Sequence, residues 1–184
     1  LNAFAWLYLG QVELRSGKVE QARDYFLTGL RDHLHGPTAS KLRLSVGQAY
    51  QRLGDTASAA RYFEYLAQSG DALAGDAQVA LGSVLYQTGQ HAAAVERLQP
   101  LLNAPVKTTA SAQAAYWLVK IQIAQQRHRE AAATAEEAIE FHPDGEWLPH
   151  LHFVAGDAWR LAGDRPAAMT NYRHVWEKWP GSEW

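Results

Sequence analysis

The stretch RLSVGQAYQRLGDTASAARYF, residues 43–63, decides the fold because four further versions of it occur along the 184-residue chain. They are WLYLGQVELRSGKVEQARDYF (residues 6–26), QVALGSVLYQTGQHAAAVERL (78–98), AYWLVKIQIAQQRHREAAATA (115–135) and HFVAGDAWRLAGDRPAAMTNY (152–172). The aligned positions Gly10, Gly47, Gly82, Val119 and Gly156 are 35 or 37 residues apart. A near-constant period of this length indicates a protein built of stacked structural repeats.

Each copy predicts two helices joined by a tight turn. The small residue at the aligned position lets the second helix approach the first closely, and an alanine marks the crossing point on the second helix. A turn glycine can adopt the left-handed conformation that ends a helix, and an aspartate after it can cap the next helix. The turn glycines are Gly17, Gly54, Gly89 and Gly163, and the capping aspartates are Asp55 and Asp164. The crossing-point alanines are Ala22, Ala59, Ala94, Ala131 and Ala168. Larger side chains lie four residues after four of these alanines, on the same face of the helix: Phe26, Phe63, Leu98 and Tyr172.

The pattern resembles that of the tetratricopeptide repeat family, whose unit is a helix–turn–helix of about 34 residues. In the first copy the match is carried by Trp6, Leu9, Gly10, Gly17, Ala22 and Phe26. The resemblance implies an all-α fold, a right-handed α-solenoid of about five repeats that forms a single domain over residues 1–184. The expected repeats are approximately residues 3–37, 40–72, 75–107, 112–145 and 149–180.

The fourth copy departs from the family pattern. It has Val119 and Gln126 where glycines are usual, so the pattern predicts the helix packing and the turn of this repeat least well. The connecting segments LHGPTAS, SGDALAGD, NAPVKTT and HPDGEWLP supply turn residues. Because most repeats are longer than the family's usual unit, we expect second helices that extend by part of a turn, or longer connections.

In this family the first helices of the repeats line a concave groove, and the resemblance implies that binding occurs there. The predicted lining is amphipathic and modestly basic, which suits an extended or helical peptide held by aromatic anchors and by Arg or Gln side chains. The alternative is that these charged side chains are only solvated. The asparagines of the family's carboxylate-clamp co-chaperones are absent from the matching positions, and Trp117 lies one position off the lining. The predicted site residues are Gln11, Arg15, Lys41, Gln48, Arg52, Tyr86, Gln87, Tyr116, Lys120, Phe153, Asp157 and Arg160.

Composition argues against other classes of function. A net charge of -2 gives no electrostatic reason to expect nucleic acid as a partner, and no apolar run has the length of a membrane span. The chain has no cysteine, which excludes disulfides, thiolate metal sites and cysteine nucleophiles. The pairs His33/His35 and His150/His152 are two residues apart, so on a helix their side chains diverge and cannot share a metal. We therefore predict a protein that is not an enzyme and has neither a cofactor nor a metal site.

The C-terminal segment NYRHVWEKWPGSEW, residues 171–184, raises two further expectations. Trp176, Trp179 and Trp184 crowd this end. They are either core residues of a truncated chain or part of a surface that stacks on further repeats or on another subunit, which would give a homo-oligomer. The segment is also similar to the ending of repeat proteins in bacterial envelope assembly. Together with the absence of cysteine, this slightly favours a bacterial periplasmic or membrane-associated setting over the cytoplasm.

The sequence thus predicts a non-catalytic adaptor or scaffold that binds a protein or peptide in its groove as part of a larger complex. Two alternatives stay open: a self-associating structural scaffold, and a regulatory segment of a larger enzyme or secretion protein. The sequence does not name the partner, since repeats of this kind share a scaffold and differ in a few groove residues.

Overall fold

The computed structural model describes residues 2–181, and all regular secondary structure within this range is α-helical. The helices are α1 (Ala3–Arg15), α2 (Val19–Asp32), α3 (Pro37–Arg52), α4 (Thr56–Ala67), α5 (Ala74–Gln87), α6 (His91–Leu102), α7 (Thr109–Ala124), α8 (His128–Phe141), α9 (Leu148–Ala162) and α10 (Arg165–Lys178). Each of the five copies found in the sequence corresponds to two consecutive helices. The predicted all-α helical-repeat fold is confirmed.

The helices belong to two compact halves, an N-terminal half with α1–α5 (Leu1–Gly89) and a C-terminal half with α6–α10 (Gln90–Trp184). In the N-terminal half, α1 packs on α2 and α3 on α4, and consecutive hairpins are joined by contacts of α2 with α3 and of α4 with α5. In the C-terminal half, α7 packs on α8 and α9 on α10, while α6 contacts α7 and α8 contacts α9. Within each half, the second helix of one repeat therefore covers the first helix of the next.

A glycine on the first helix packs directly on an aromatic ring of the second helix in three hairpins. At Gly156, an added Cβ atom would lie 2.6 Å from Cε1 of Tyr172. At Gly47 it would overlap the ring of Phe63, which is fully buried. Only a residue without a side chain fits against these rings, so the glycine sets how closely the two helices approach. The three pairs are Gly10–Phe26, Gly47–Phe63 and Gly156–Tyr172.

The fourth repeat keeps this packing by exchanging the sizes of the two residues. Val119 occupies the glycine position of α7, and Ala135 occupies the aromatic position of α8. Both side chains are completely buried in one core cluster. A larger residue on the first helix is therefore matched by a smaller one on the second, and total volume is roughly conserved.

The turn of the fourth repeat is also kept, although it lacks the usual glycine. Gln126 has a φ of 62°, in the left-handed region that Gly54 adopts with a φ of 80° at the matching position of the second repeat. After each turn, the next backbone N–H bonds to a carbonyl five residues back, from Arg127 to Gln122 at 2.9 Å and from Asp55 to Tyr50 at 3.0 Å. The surrounding helices thus impose a backbone conformation that disfavours a side chain.

The two predicted aspartate caps are confirmed. The Asp55 carboxylate accepts a hydrogen bond from the backbone N–H of Ser58 at 3.0 Å. The Asp164 carboxylate accepts one from the backbone N–H of Ala167 at 3.1 Å. Each aspartate satisfies an otherwise unpaired N–H in the first turn of a second helix.

The extra length of the repeats goes partly into first helices. The longest helices of the described chain are α3 and α7, each of 16 residues. Helix α3 begins at Pro37 and α7 at Thr109, inside segments that we expected to be connections. The second helices have 12 to 14 residues. Proline is favourable in the first turn of a helix, which explains why Pro37 starts α3 and does not interrupt it.

Replacing Gly47 with valine should destabilise the protein by about 1–3 kcal/mol, because the new side chain would force the ring of Phe63 away from α3. Thermal unfolding followed by circular dichroism measures this change. Gln48→Val is the matched control, since it places the same β-branched residue at the next, exposed position of α3. Equal melting temperatures for the two variants would contradict the packing described here.

Replacing Gln126 with glycine should stabilise the protein by about 0.5–1 kcal/mol, because glycine adopts the left-handed conformation without steric cost. The same unfolding measurement applies. Gln125→Gly is the control, because Gln125 has a φ of −84° and gains nothing from glycine there. The expected order of melting temperatures is Gln126→Gly, wild type, Gln125→Gly, and a loss of stability in the first variant would be inconsistent with strain at this turn.

The Asp55 cap should make stability depend on pH. The hydrogen bond from the Ser58 backbone holds the pKa of Asp55 below its ordinary value. Its contribution is therefore complete above the unfolded pKa of about 3.9 and is lost as the pH falls through the lower folded pKa. Asp55→Ala should melt below wild type at neutral pH, and this difference should shrink in acid. Asp55→Asn keeps an acceptor oxygen and should show a smaller pH dependence than wild type; identical pH profiles for wild type and Asp55→Asn would refute the assignment.

Candidate functional site

The first helices lie side by side within each half. Helix α3 contacts both α1 and α5 in the N-terminal half, and α7 contacts α9 in the C-terminal half. We call the exposed side of these helices the first-helix face, represented in one half by α1, α3 and α5 and in the other by α7 and α9. All the site residues predicted from the sequence are on these five helices.

In the N-terminal half the site residues predicted on the first-helix face are mostly polar and include exposed cations. The side-chain amide of Gln51 donates to Oγ of Ser83 at 3.0 Å and to Oε1 of Gln87 at 3.2 Å, which ties α3 to α5. Six of the seven predicted residues here are exposed and one, Tyr86, is half-buried. The exposed residues are Gln11, Arg15, Lys41, Gln48, Arg52 and Gln87.

In the C-terminal half the first-helix face carries a cluster of aromatic rings centred on Tyr116. Its ring meets the ring of Trp117 nearly edge-on, with centroids 5.3 Å apart. Trp147 and His150 approach the same ring at 5.5 Å and 6.1 Å, and they pack on one another at 4.2 Å. We call Tyr116, Trp117, Trp147 and His150 the aromatic cluster. Its members are all half-buried, so each presents part of a ring to solvent.

Lys120 lies one helical turn after Tyr116 and places its ammonium group over two of these rings. Its Nζ atom is 5.5 Å from the centroid of Tyr116 and 5.3 Å from that of Trp117. Cation–π attraction of this kind orients a flexible lysine. The positive charge is therefore fixed beside the aromatic cluster.

Asp157 is held by two neighbours. Its Oδ1 atom accepts a hydrogen bond from the hydroxyl of Tyr172 at 2.7 Å and one from the guanidinium of Arg160 at 3.2 Å. Burial together with the bond to Asp157 raises the pKa of Tyr172. Burial, and to a lesser extent the charge of Asp157, also raises the pKa of Tyr116. The carboxylate thus lies close enough to the aromatic cluster to act on it electrostatically.

Phe153 lies one helical turn before Asp157 on α9, at the edge of this arrangement next to α10. Its ring packs against Tyr172 with centroids 5.9 Å apart. It lines a surface pocket of about 520 Å³ together with Met169 and Trp176 of α10. Phe153 and Asp157 therefore both contact Tyr172, and the side of α9 that carries them adjoins α10.

The sequence reasoning missed Trp147 as a site residue and left Trp117 just outside the lining. Trp147 lies in the connection HPDGEWLP, immediately before the first residue of α9. The family pattern covers helices, so it gives no position for a side chain in a connection. The available signal was a tryptophan within a segment otherwise typical of turns.

Two further findings concern other kinds of site. No group of three histidine or carboxylate side chains within residues 2–181 is arranged to hold a metal ion. None of the helices in that range combines the length and the hydropathy of a membrane span.

Comparison with known proteins identifies the repeat. Two models of the tetratricopeptide repeat match the chain, one over residues 46–99 and the other over residues 112–137. No curated protein sequence matches it.

Several solved structures are similar over nearly the whole chain. MamA from Desulfovibrio magneticus is 20% identical with a TM-score of 0.67, and the alignment covers 99% of this chain and 97% of that one. A tetratricopeptide repeat protein from Parabacteroides merdae is 18% identical with a TM-score of 0.73, covering 96% and 65%. YrrB, described as a tetratricopeptide repeat protein with an unusual peptide-binding site, is 18% identical with a TM-score of 0.59, covering 98% and 88%. At these identities the similarity establishes the fold alone. Together with the helical repeats, the two model matches show that the chain contains tetratricopeptide repeats, which generally serve as protein–protein interaction modules.

Proposed function

We propose that the chain binds a peptide segment of another protein, extended or helical, on its first-helix face and acts as an adaptor within a larger complex. The observation that carries this proposal is the aromatic cluster of the C-terminal half with the Lys120 ammonium fixed beside it. Tyrosine and tryptophan are enriched among the residues that contribute most to protein–protein binding.

The aromatic cluster is suited to receive an apolar side chain. Tyr116 contacts the rings of Trp117, Trp147 and His150, so its orientation is restricted before a partner arrives. Large rings with few rotatable bonds provide contact area at a low cost in conformational entropy. The cluster therefore supports an anchor site for one aromatic or aliphatic residue of the peptide.

The charges near the cluster favour a peptide with carboxylates. Lys120 is held over the rings, and Asp157 already accepts hydrogen bonds from Tyr172 and Arg160. A cation fixed beside the cluster can pair with acidic groups of the peptide and accelerate association. We therefore propose a peptide with an apolar anchor residue and neighbouring Asp or Glu residues.

The wider setting rests on weaker observations. The description of YrrB as a peptide-binding tetratricopeptide repeat protein supports the class of ligand by analogy. The segment NYRHVWEKWPGSEW supports an assembly of the bacterial envelope as the context, periplasmic or membrane-associated, although its last three residues lie outside the described range. The absence of nucleic-acid partners, cofactors and catalysis stays part of the same proposal.

Peptide display against the 184-residue chain tests this function directly. Peptides selected on the wild type should be enriched in an apolar residue flanked by carboxylates. In fluorescence anisotropy, Lys120→Glu should weaken their binding about tenfold, equivalent to about 1.4 kcal/mol, because the exchange replaces attraction with repulsion. A triple variant, Tyr116→Ala with Lys120→Glu and Arg160→Glu, should remove binding altogether.

The control for this experiment is Arg129→Glu, which makes the same change of charge at an exposed position of α8, outside the first-helix face. Circular dichroism of each variant checks that it is folded. If wild type and the triple variant bind the selected peptides equally, or if no peptide is selected at all, the proposed function is wrong.

A further inference from the structure

Helix α1 exposes an apolar stripe along one side. The side chains of Phe4, Tyr8 and Val12 are 66%, 60% and 42% exposed, although all three are large and apolar or aromatic. Their spacing of four residues places them on one side of the helix. Contiguous exposed apolar surface of this kind marks an interaction site more often than a solvated face.

Of the three stripe positions, that of Val12 is buried in every other first helix. The position of Tyr8 is half-buried or buried there, at Ser45, Ala80, Trp117 and Val154, whereas Phe4 matches residues that are not buried, Lys41, Asp76, Gln113 and His150. The position of Ala5 on the same helix is compared as well. The residues that match Val12 are at most 2% exposed, and those that match Ala5, which is itself half-buried, are 0% exposed. They contact the second helix of the preceding repeat: Val84 shares a core cluster with Ala59 and Phe63 of α4. The matches are Ala49, Val84, Ile121 and Ala158 for Val12, and Leu42, Ala77, Ala114 and Leu151 for Ala5.

Helix α10 presents the opposite half of this contact. Met169 and Trp176 are 59% and 77% exposed. At the position of Met169, α8 has Ala132, which is fully buried in one cluster with α9. At the position of Trp176, α2 has Leu30, which is buried in one cluster with α3. Met169 and Trp176 therefore occupy positions where a second helix normally contacts the first helix that follows it.

The two exposed surfaces are also complementary in size. Inside the chain, Leu30 of α2 shares a cluster with Leu42 of α3. Trp176 of α10 matches Leu30, and Ala5 of α1 matches Leu42. In a contact between the two ends, a larger residue would therefore face a smaller one. The Val119–Ala135 exchange shows that this fold accommodates such a substitution. The pocket of about 520 Å³ that Met169 and Trp176 line offers room for the ring of Tyr8.

We infer that the two surfaces bind one another between copies of the chain: α1 of one copy packs on α10 of a second copy, as α3 packs on α2 within each copy. Such a contact joins different surfaces of identical chains, so each dimer keeps one free α1 and one free α10. The assembly is therefore head-to-tail and extends with concentration. Tyr116 and Lys120 do not line the α10 pocket, so variants at these two residues test the peptide site without changing this contact.

Sedimentation velocity with two charge variants tests the inference. The wild type should shift from 20.4 kDa to dimers and longer species as its concentration rises. Tyr8→Glu disables α1 and Trp176→Glu disables α10, so each variant alone should stay at 20.4 kDa. An equimolar mixture restores one intact pair of surfaces. It should form a species of about twice the monomer mass and nothing larger.

Val106→Glu is the control, because it introduces the same charge at an exposed apolar residue of the connection before α7 and should assemble like the wild type. Dimer formation in the mixture also demonstrates that both variants are folded. If either is unfolded by circular dichroism, Val12→Glu and Met169→Glu replace them. A wild type that stays monomeric at all concentrations overturns the inference and indicates that other repeats or another protein cover these ends. Assembly of Tyr8→Glu alone also overturns it, since that result requires a symmetric contact between α10 surfaces.

Discussion

The close contact between a glycine of the first helix and a ring of the second helix is the constraint on which the rest of the structure depends. It fixes the distance between the helices of a hairpin at Gly10, Gly47 and Gly156. Because the hairpins are then similar in thickness, each can cover the next with the same side of its second helix. The residues on the other side of the first helices do not take part in this packing, so they can differ from one repeat to the next.

This separation of roles explains the composition of the first-helix face. In the N-terminal half α3 and α5 meet through polar side chains, because the amide of Gln51 on α3 bonds to Ser83 and Gln87 on α5. In the C-terminal half the face carries interlocked rings and a fixed lysine. The same backbone arrangement thus supports two different chemistries, which is why the type of repeat constrains the class of ligand and not its identity.

The fold was predictable because its determinants are local. Turn glycines, aspartate caps and small residues at the crossing point each act within one hairpin, and a single copy of the repeat contains them all. The Val119–Ala135 exchange was not recognised, because a pattern read one position at a time treats each member of the pair as a separate departure. The site was less predictable. Trp147 belongs to a connection, and Phe153 has the sequence position of a face residue but packs toward α10, which depends on the neighbouring Tyr172.

Tyr172 links the interior of its hairpin to the charge of the surface. Its ring fills the space beside Gly156, as Phe26 and Phe63 do in their hairpins, but its hydroxyl reaches Asp157. Phe26 and Phe63 have no hydroxyl, so neither ring can donate a hydrogen bond to a charged residue on the surface. At this one position, drift between phenylalanine and tyrosine during evolution would leave the packing almost unchanged while removing or restoring the hydrogen bond that holds the Asp157 carboxylate. Ligand preference could therefore diverge through a residue that sequence comparison would classify as core.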